Sequence, residues 1–126
     1  MFGDIFSPID PMVRLHAELR AQRVPTYIFS NTNHLAVRHI RRRYPFFEKF
    51  DGYILSCENG AMKPDAKLYE IVERYAGKKG HDLLYIDDRP ENIATGARRG
   101  WQTILHESPK KTIEAVWRTG LRKAKP

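Results

Sequence analysis

"LLYIDDRPENI", residues 83–93, runs from an apolar stretch into two adjacent acids, Asp87 and Asp88, then a proline and a helix-like segment. Leu83–Ile86 is short, apolar and rich in β-formers, which predicts a buried strand. Pro90 suits the first turn of a helix, where its missing N–H has no partner to lose. Two carboxylates at the tip of a buried strand repel each other unless a cation or a proton compensates them. Strand tip, acids and helix start together decide the fold.

The same grammar repeats along the chain. Apolar, strand-like runs occupy 24–31, 52–57, 82–88 and 102–106. Helical spacing appears in 11–22, 64–76 and 109–119, with a less regular helix in 33–49. Pro11, Pro64, Pro90 and Pro109 each read as a first helical residue, Asp10 and Ser108 as N-caps, and Gly77, Gly100 and Gly120 as stops. Alternation of this kind predicts an α/β fold: a Rossmann-like parallel sheet of about four strands with helices on both faces. At 126 residues the chain is expected to be one domain over 1–126, with an N-terminal arm at 1–8 and a basic tail at 121–126.

Composition narrows the setting. Only one cysteine, Cys57, is present, so no intrachain disulfide forms and a reducing compartment is expected. No apolar run reaches the ~20 residues of a membrane span, and the first residues lack the pattern of a signal peptide, so a cytoplasmic location is expected. The net charge of +7 sits in clusters such as Arg41–Arg43, Lys78–Lys79 and Lys110–Lys111. These could attract nucleic acid, but no interleaved aromatic pattern accompanies them, and solvated helix faces are the preferred reading.

In open α/β sheets, ligands bind beyond the carboxyl ends of the strands. There the sequence places Ser30 and Asn31, then Lys63, then Asp87 and Asp88. Ser30 and Asn31 suit phosphoryl oxygens, Lys63 suits developing negative charge, and the acids suit a divalent metal. Singly, each reads as a helix cap or a solvated turn. Jointly, one pocket would explain all of them.

"YIFSNTN" (27–33), "ENGAMKPDAKLYE" (58–70) and "LLYIDDRPENIATGARRGWQTILH" (83–106) together resemble the second, third and fourth motifs of the haloacid dehalogenase-like (HAD) hydrolase superfamily, in order and spacing. The segments are most similar to its sugar-phosphate phosphatase branch. The resemblance implies phosphoryl transfer to an aspartate followed by hydrolysis, with Ser30 and Asn31 on the phosphoryl group, Lys63 on its charge, and Asp87 and Asp88 holding Mg²⁺. The implied catalytic set is Lys63, Asp87 and Asp88, and the implied partner is a small phosphorylated metabolite.

The family's first motif, a strand ending in the nucleophilic Asp, has no evident counterpart. Asp4 follows only Met1, Phe2 and Gly3, and Asp10 reads as a cap. The expectation is therefore a truncated core that is inactive alone. The alternative is a non-catalytic module whose basic surface binds nucleic acid or an acidic partner. In the family the missing strand lies between those ending at Ser30 and Asp88. Its absence would leave open edges, which direct pairing, the segment "MFGDIF" or a homodimer could close.

Overall fold

The computed structural model describes residues 10–120. The expected arm at 1–8, including Asp4, and the basic tail at 121–126 lie outside the described residues. Among the described residues six helices and four strands follow in order: α1 (Asp10–Ala21), β1 (Tyr27–Ser30), α2 (His34–Arg43), β2 (Gly52–Leu55), α3 (Ser56–Asn59), α4 (Ala66–Ala76), β3 (Leu84–Asp87), α5 (Pro90–Arg98), β4 (Gln102–Leu105) and α6 (Pro109–Arg118). The α/β class and the parallel strands match the sequence reading.

The helix ends follow local chemistry. Asn33 Oδ1 accepts from Ala36 N–H at 2.8 Å and opens α2. Ser108 Oγ accepts from Lys111 N–H at 3.2 Å ahead of Pro109, as expected for α6. Pro64 departs from expectation. It is not the first residue of α4; Asp65 caps that helix through Lys67 N–H, and α4 starts at Ala66. An Asp side chain satisfies an orphan N–H, which a proline at N1 merely avoids. In α1 Asp10, expected as the cap, is itself helical.

The four strands form two parallel pairs, β1–β2 and β3–β4, rather than one continuous sheet. Ser30 lies opposite Leu55 in the first pair, and Asp87 opposite Leu105 in the second. Strand periodicity then assigns the faces. Tyr27, Phe29, Ile54 and Tyr85 share one face, where Leu68, Tyr69 and Val72 of α4 and Trp101 pack across both pairs. On the opposite face, Ile40 of α2 and Phe47 cover Ile28 and Leu55. Met12, Leu15 and Leu19 of α1 and Val116 of α6 cover the other side of β3–β4, against Leu84, Ile86 and Ile104. Helix α4 is therefore the element that holds the two pairs together.

Between the pairs lies an apolar cavity of about 270 Å³, lined by Tyr27 and Phe29 of β1, Leu84 and Tyr85 of β3, Leu15 of α1 and Val72 of α4. Direct pairing of β1 with β3, one of the closures considered from sequence, is not observed among the described residues.

The Arg41–Arg43 cluster also departs from expectation, because it does meet aromatic rings, and they are the chain's own. The Arg41 guanidinium lies 5.6 Å from the Phe47 ring centroid and 5.3 Å from that of Tyr53, and Arg43 lies 5.9 Å from Tyr44. The 3₁₀ turn at Pro45–Lys49 brings Phe47, and β2 brings Tyr53, against Arg41 of α2, which the linear sequence does not display.

Candidate functional site

Lys63 is the centre of the strand-end edge. Its side chain is fully buried, and Nζ donates to Asp87 Oδ2 at 2.8 Å and to the Phe29 carbonyl at 3.0 Å. One ammonium thus joins the end of β1 to the end of β3. Aromatic faces supplement the carboxylate: Nζ lies 4.9 Å from the Phe29 ring centroid and 5.7 Å from that of Tyr85. A buried cation is tolerated only with such compensation.

Asp87 is held by four donors. Lys63 Nζ, Tyr85 Oη at 2.6 Å and Asn92 Nδ2 at 3.3 Å meet Oδ2, and Arg89 N–H meets Oδ1 at 2.8 Å. Burial alone would raise the carboxyl pKa; the Lys63 charge and these hydrogen bonds outweigh it and bring it down to about 2. Tyr85 is pushed far in the other direction, by burial and then by Asp87, so its phenol remains a donor. Tyr69 Oη donates to the Asn92 carbonyl at 2.7 Å, which ties α4 into the same cluster.

Asn31 locks Lys63 in place. Its Oδ1 accepts from Lys63 N–H at 2.7 Å and its Nδ2 donates to the Lys63 carbonyl at 3.1 Å. Asn31, read from sequence as a phosphate ligand, thus also positions the lysine through its amide. Beside it, Ser56 Oγ accepts from Thr32 N–H at 2.8 Å and donates to the Thr32 carbonyl at 2.9 Å. Ser30 is buried, and its hydroxyl makes only a 3.5 Å contact with the Asn31 carbonyl, leaving it able to serve an incoming oxygen.

Asp88 is separate from this cluster. It is exposed and makes no hydrogen bond or ion pair among the described residues, whereas Asp87 is fully buried. Asp88 follows the last residue of β3, so the two neighbouring carboxylates differ in burial and in partners. The charge repulsion that called for a cation is answered largely by Lys63.

The fit to Mg²⁺ therefore rests on what is left. Asp87 Oδ1 holds a single hydrogen bond, and the Asp88 carboxylate is open to solvent. Mg²⁺ takes one or two carboxylates and keeps several waters, so this donor set fits it. Among the described residues no group of three His, Cys, Asp or Glu side chains gathers for a metal.

Ser30, Asn31, Lys63 and Asp87 are thus brought to one edge, as the sequence implied, with Asp88 beside them. Ser56, Tyr85 and Asn92 were not singled out. Tyr85 could have been found, since it stands two residues before Asp87 and so on its side of the strand. Asn92, in the first turn after Pro90, carries a weaker signal of the same kind.

Comparisons with known proteins place the chain in a family. A haloacid dehalogenase-like hydrolase family profile matches residues 2–100. The chain is 29% identical over 82 residues to the sesquiterpene phosphatase astK of Aspergillus oryzae, covering 65% of this chain and 42% of that protein. It is 24% identical over 106 residues to mouse acyl-CoA dehydrogenase family member 10, covering 83% of this chain and 10% of that one. The chain therefore spans less than half the length of either curated relative. Among solved structures, a HAD-superfamily hydrolase from Ehrlichia chaffeensis superposes with a TM-score of 0.72 at 17% identity, over 92% of this chain and 60% of that one. A HAD family enzyme variant from Bacteroides thetaiotaomicron, solved with magnesium and inorganic phosphate, gives 0.62 at 20% identity, over 75% and 52%. With Lys63 and Asp87 joined across the ends of two parallel strands and the family profile covering most of the chain, this protein belongs to the haloacid dehalogenase-like hydrolases.

Proposed function

We propose that the strand-end edge binds the phosphoryl group of a small phosphomonoester together with Mg²⁺, and that the described residues alone do not turn it over. The observation that carries this reading is the buried Lys63–Asp87 pair beside the Ser30 hydroxyl, which makes one long 3.5 Å hydrogen bond. Ser30 Oγ donates to a phosphoryl oxygen, and Lys63 supplies positive charge where negative charge collects. Asp87, through Oδ1, and Asp88 would hold Mg²⁺, with water and phosphate completing its shell; the metal would screen phosphoryl charge. Asn31 and Tyr85 fix the lysine and the aspartate so that neither must reorganise when the ligand enters.

Phosphoryl transfer in this family needs an attacking carboxylate, and the cluster contains no third acid among the described residues. The described residues are accordingly read as a binding core. Calorimetric titration with inorganic phosphate in the presence of Mg²⁺ tests it. Binding weakened about tenfold or more by Ser30→Ala and by Asp88→Asn is the expected result; affinity indifferent to both substitutions overturns the reading. A homodimer that covers the apolar cavity between β1 and β3 is the companion proposal. Light scattering at micromolar concentration is expected to give twice the 14.7 kDa chain mass, and a monomer removes it.

A further inference from the structure

We infer that the phosphate site favours monoesters with an apolar leaving group, whose carbon chain lies along Leu35 and Met62; this rests on the phosphate-binding reading above. Four large hydrophobic side chains are exposed among the described residues: Leu35 at 71%, Met62 at 61%, Tyr75 at 57% and Leu105 at 40%. Scattered single exposures are ordinary. These are not scattered, since three of the four stand at the strand-end edge. Leu35 is in the first turn of α2, just beyond Ser30 and Asn31. Met62 immediately precedes Lys63. Leu105 ends β4 opposite Asp87. The loop that leads into α2, which carries Leu35, and the loop that carries Met62 are fastened together by the paired Asn31–Lys63 hydrogen bonds.

The polar side chains of this edge argue the same way. A polyhydroxylated leaving group needs hydrogen-bonding partners held ready for it. Asn31 is committed to Lys63, Asn33 to Ala36 N–H, Ser56 to Thr32, and Asn59 to the Leu55 carbonyl at 2.8 Å. Four candidate partners are thus occupied by the chain's own backbone. Because Lys63 and Asp87 are buried, a phosphoryl group that reaches them directs its ester oxygen outward, past the exposed apolar residues. This differs from the sugar-phosphate preference implied by the sequence resemblance.

The test compares inorganic phosphate, glycerol phosphate and n-hexyl phosphate by calorimetry on the full chain with Mg²⁺. Hexyl phosphate is expected to bind about tenfold more tightly than glycerol phosphate, as burying roughly two methylenes would give. In L35S/M62S that advantage is expected to fall to within about twofold, the residual left by losing those methylene contacts. Equal affinity for the two esters, with inorganic phosphate still bound, overturns the inference alone. An advantage that survives L35S/M62S overturns it too. Failure of all three ligands to bind overturns both the inference and the phosphate-site reading beneath it.

Discussion

At the scale of single residues, Lys63 and Asp87 depend on each other more than on anything outside. Removing one partner of a buried pair leaves the other charge without compensation. Lys63→Met is therefore expected to destabilise the fold by about 3–5 kcal/mol in urea unfolding. Adding Asp87→Asn removes the stranded charge and should restore a substantial part of that loss. Two equal and additive losses would show that the pair is not coupled. His16 is a second buried titratable group. Its Nε2 lies 3.1 Å from Thr26 Oγ1, and its ring stacks on Phe50 at 3.9 Å. Burial, then the nearby Arg20 charge, lowers its pKa from 6.5 to about 4. The folded chain thus prefers the neutral ring, and the unfolded chain takes up a proton first. This stabilisation is complete above pH 6.5 and is lost as pH falls towards 4, by about 3 kcal/mol in all. Urea midpoints at pH 7 and pH 4.5 check it: wild type should lose stability across this window, and His16→Gln should lose much less. Asp87 adds an acid loss of the same sign, confined to the lower window between its ordinary value of 3.8 and about 2.

At the scale of elements, the site depends on how closely helices approach the strands. Helix α5 carries Asn92 against Asp87, and Gly96 allows that approach. A Cβ at Gly96 would stand 3.0 Å from Tyr85 Cδ2 and 3.3 Å from Trp101 Cε3. Gly96→Ala gains helix propensity, yet it crowds Tyr85, the donor that fixes Asp87. A net loss of about 1–3 kcal/mol is expected from overpacking, read as a lower melting temperature. An unchanged or raised melting temperature would mean that α5 shifts freely. The elements were largely legible in the sequence, because proline, glycine and apolar runs act locally. Ser108 and Pro109 announce α6, and "LLYID" announces β3. What was not legible depends on partners distant in sequence. Asn31 reads as a phosphate ligand, but its pairing with the Lys63 backbone, 32 residues away, is not visible in the sequence. Pro64 looks like a helix start until Asp65 is seen capping α4. Asp87 and Asp88 look alike in the sequence, but Asp87 is buried against Lys63 whereas Asp88 is exposed.

At the scale of the whole molecule, two parallel strand pairs share α4 on one face and are joined at their ends by Lys63, with an apolar cavity between them. The carboxyl ends of β1 and β3 converge on that single ammonium, so the fold places Ser30, Lys63, Asp87 and Asp88 on one edge. The exposed arginines Arg41–Arg43 lie at the far end of α2 from Asn33. The phosphate site and the basic cluster are therefore separate, and one measurement distinguishes a phosphate-binding core from a module that works through its basic surface. Backbone amide shifts would be followed as Mg²⁺ and inorganic phosphate are added to the labelled full chain. The account predicts changes confined to residues 30–33, Lys63 and residues 87–89. Changes centred on Arg41–Arg43 with that edge silent, or no saturable change at all, would contradict it.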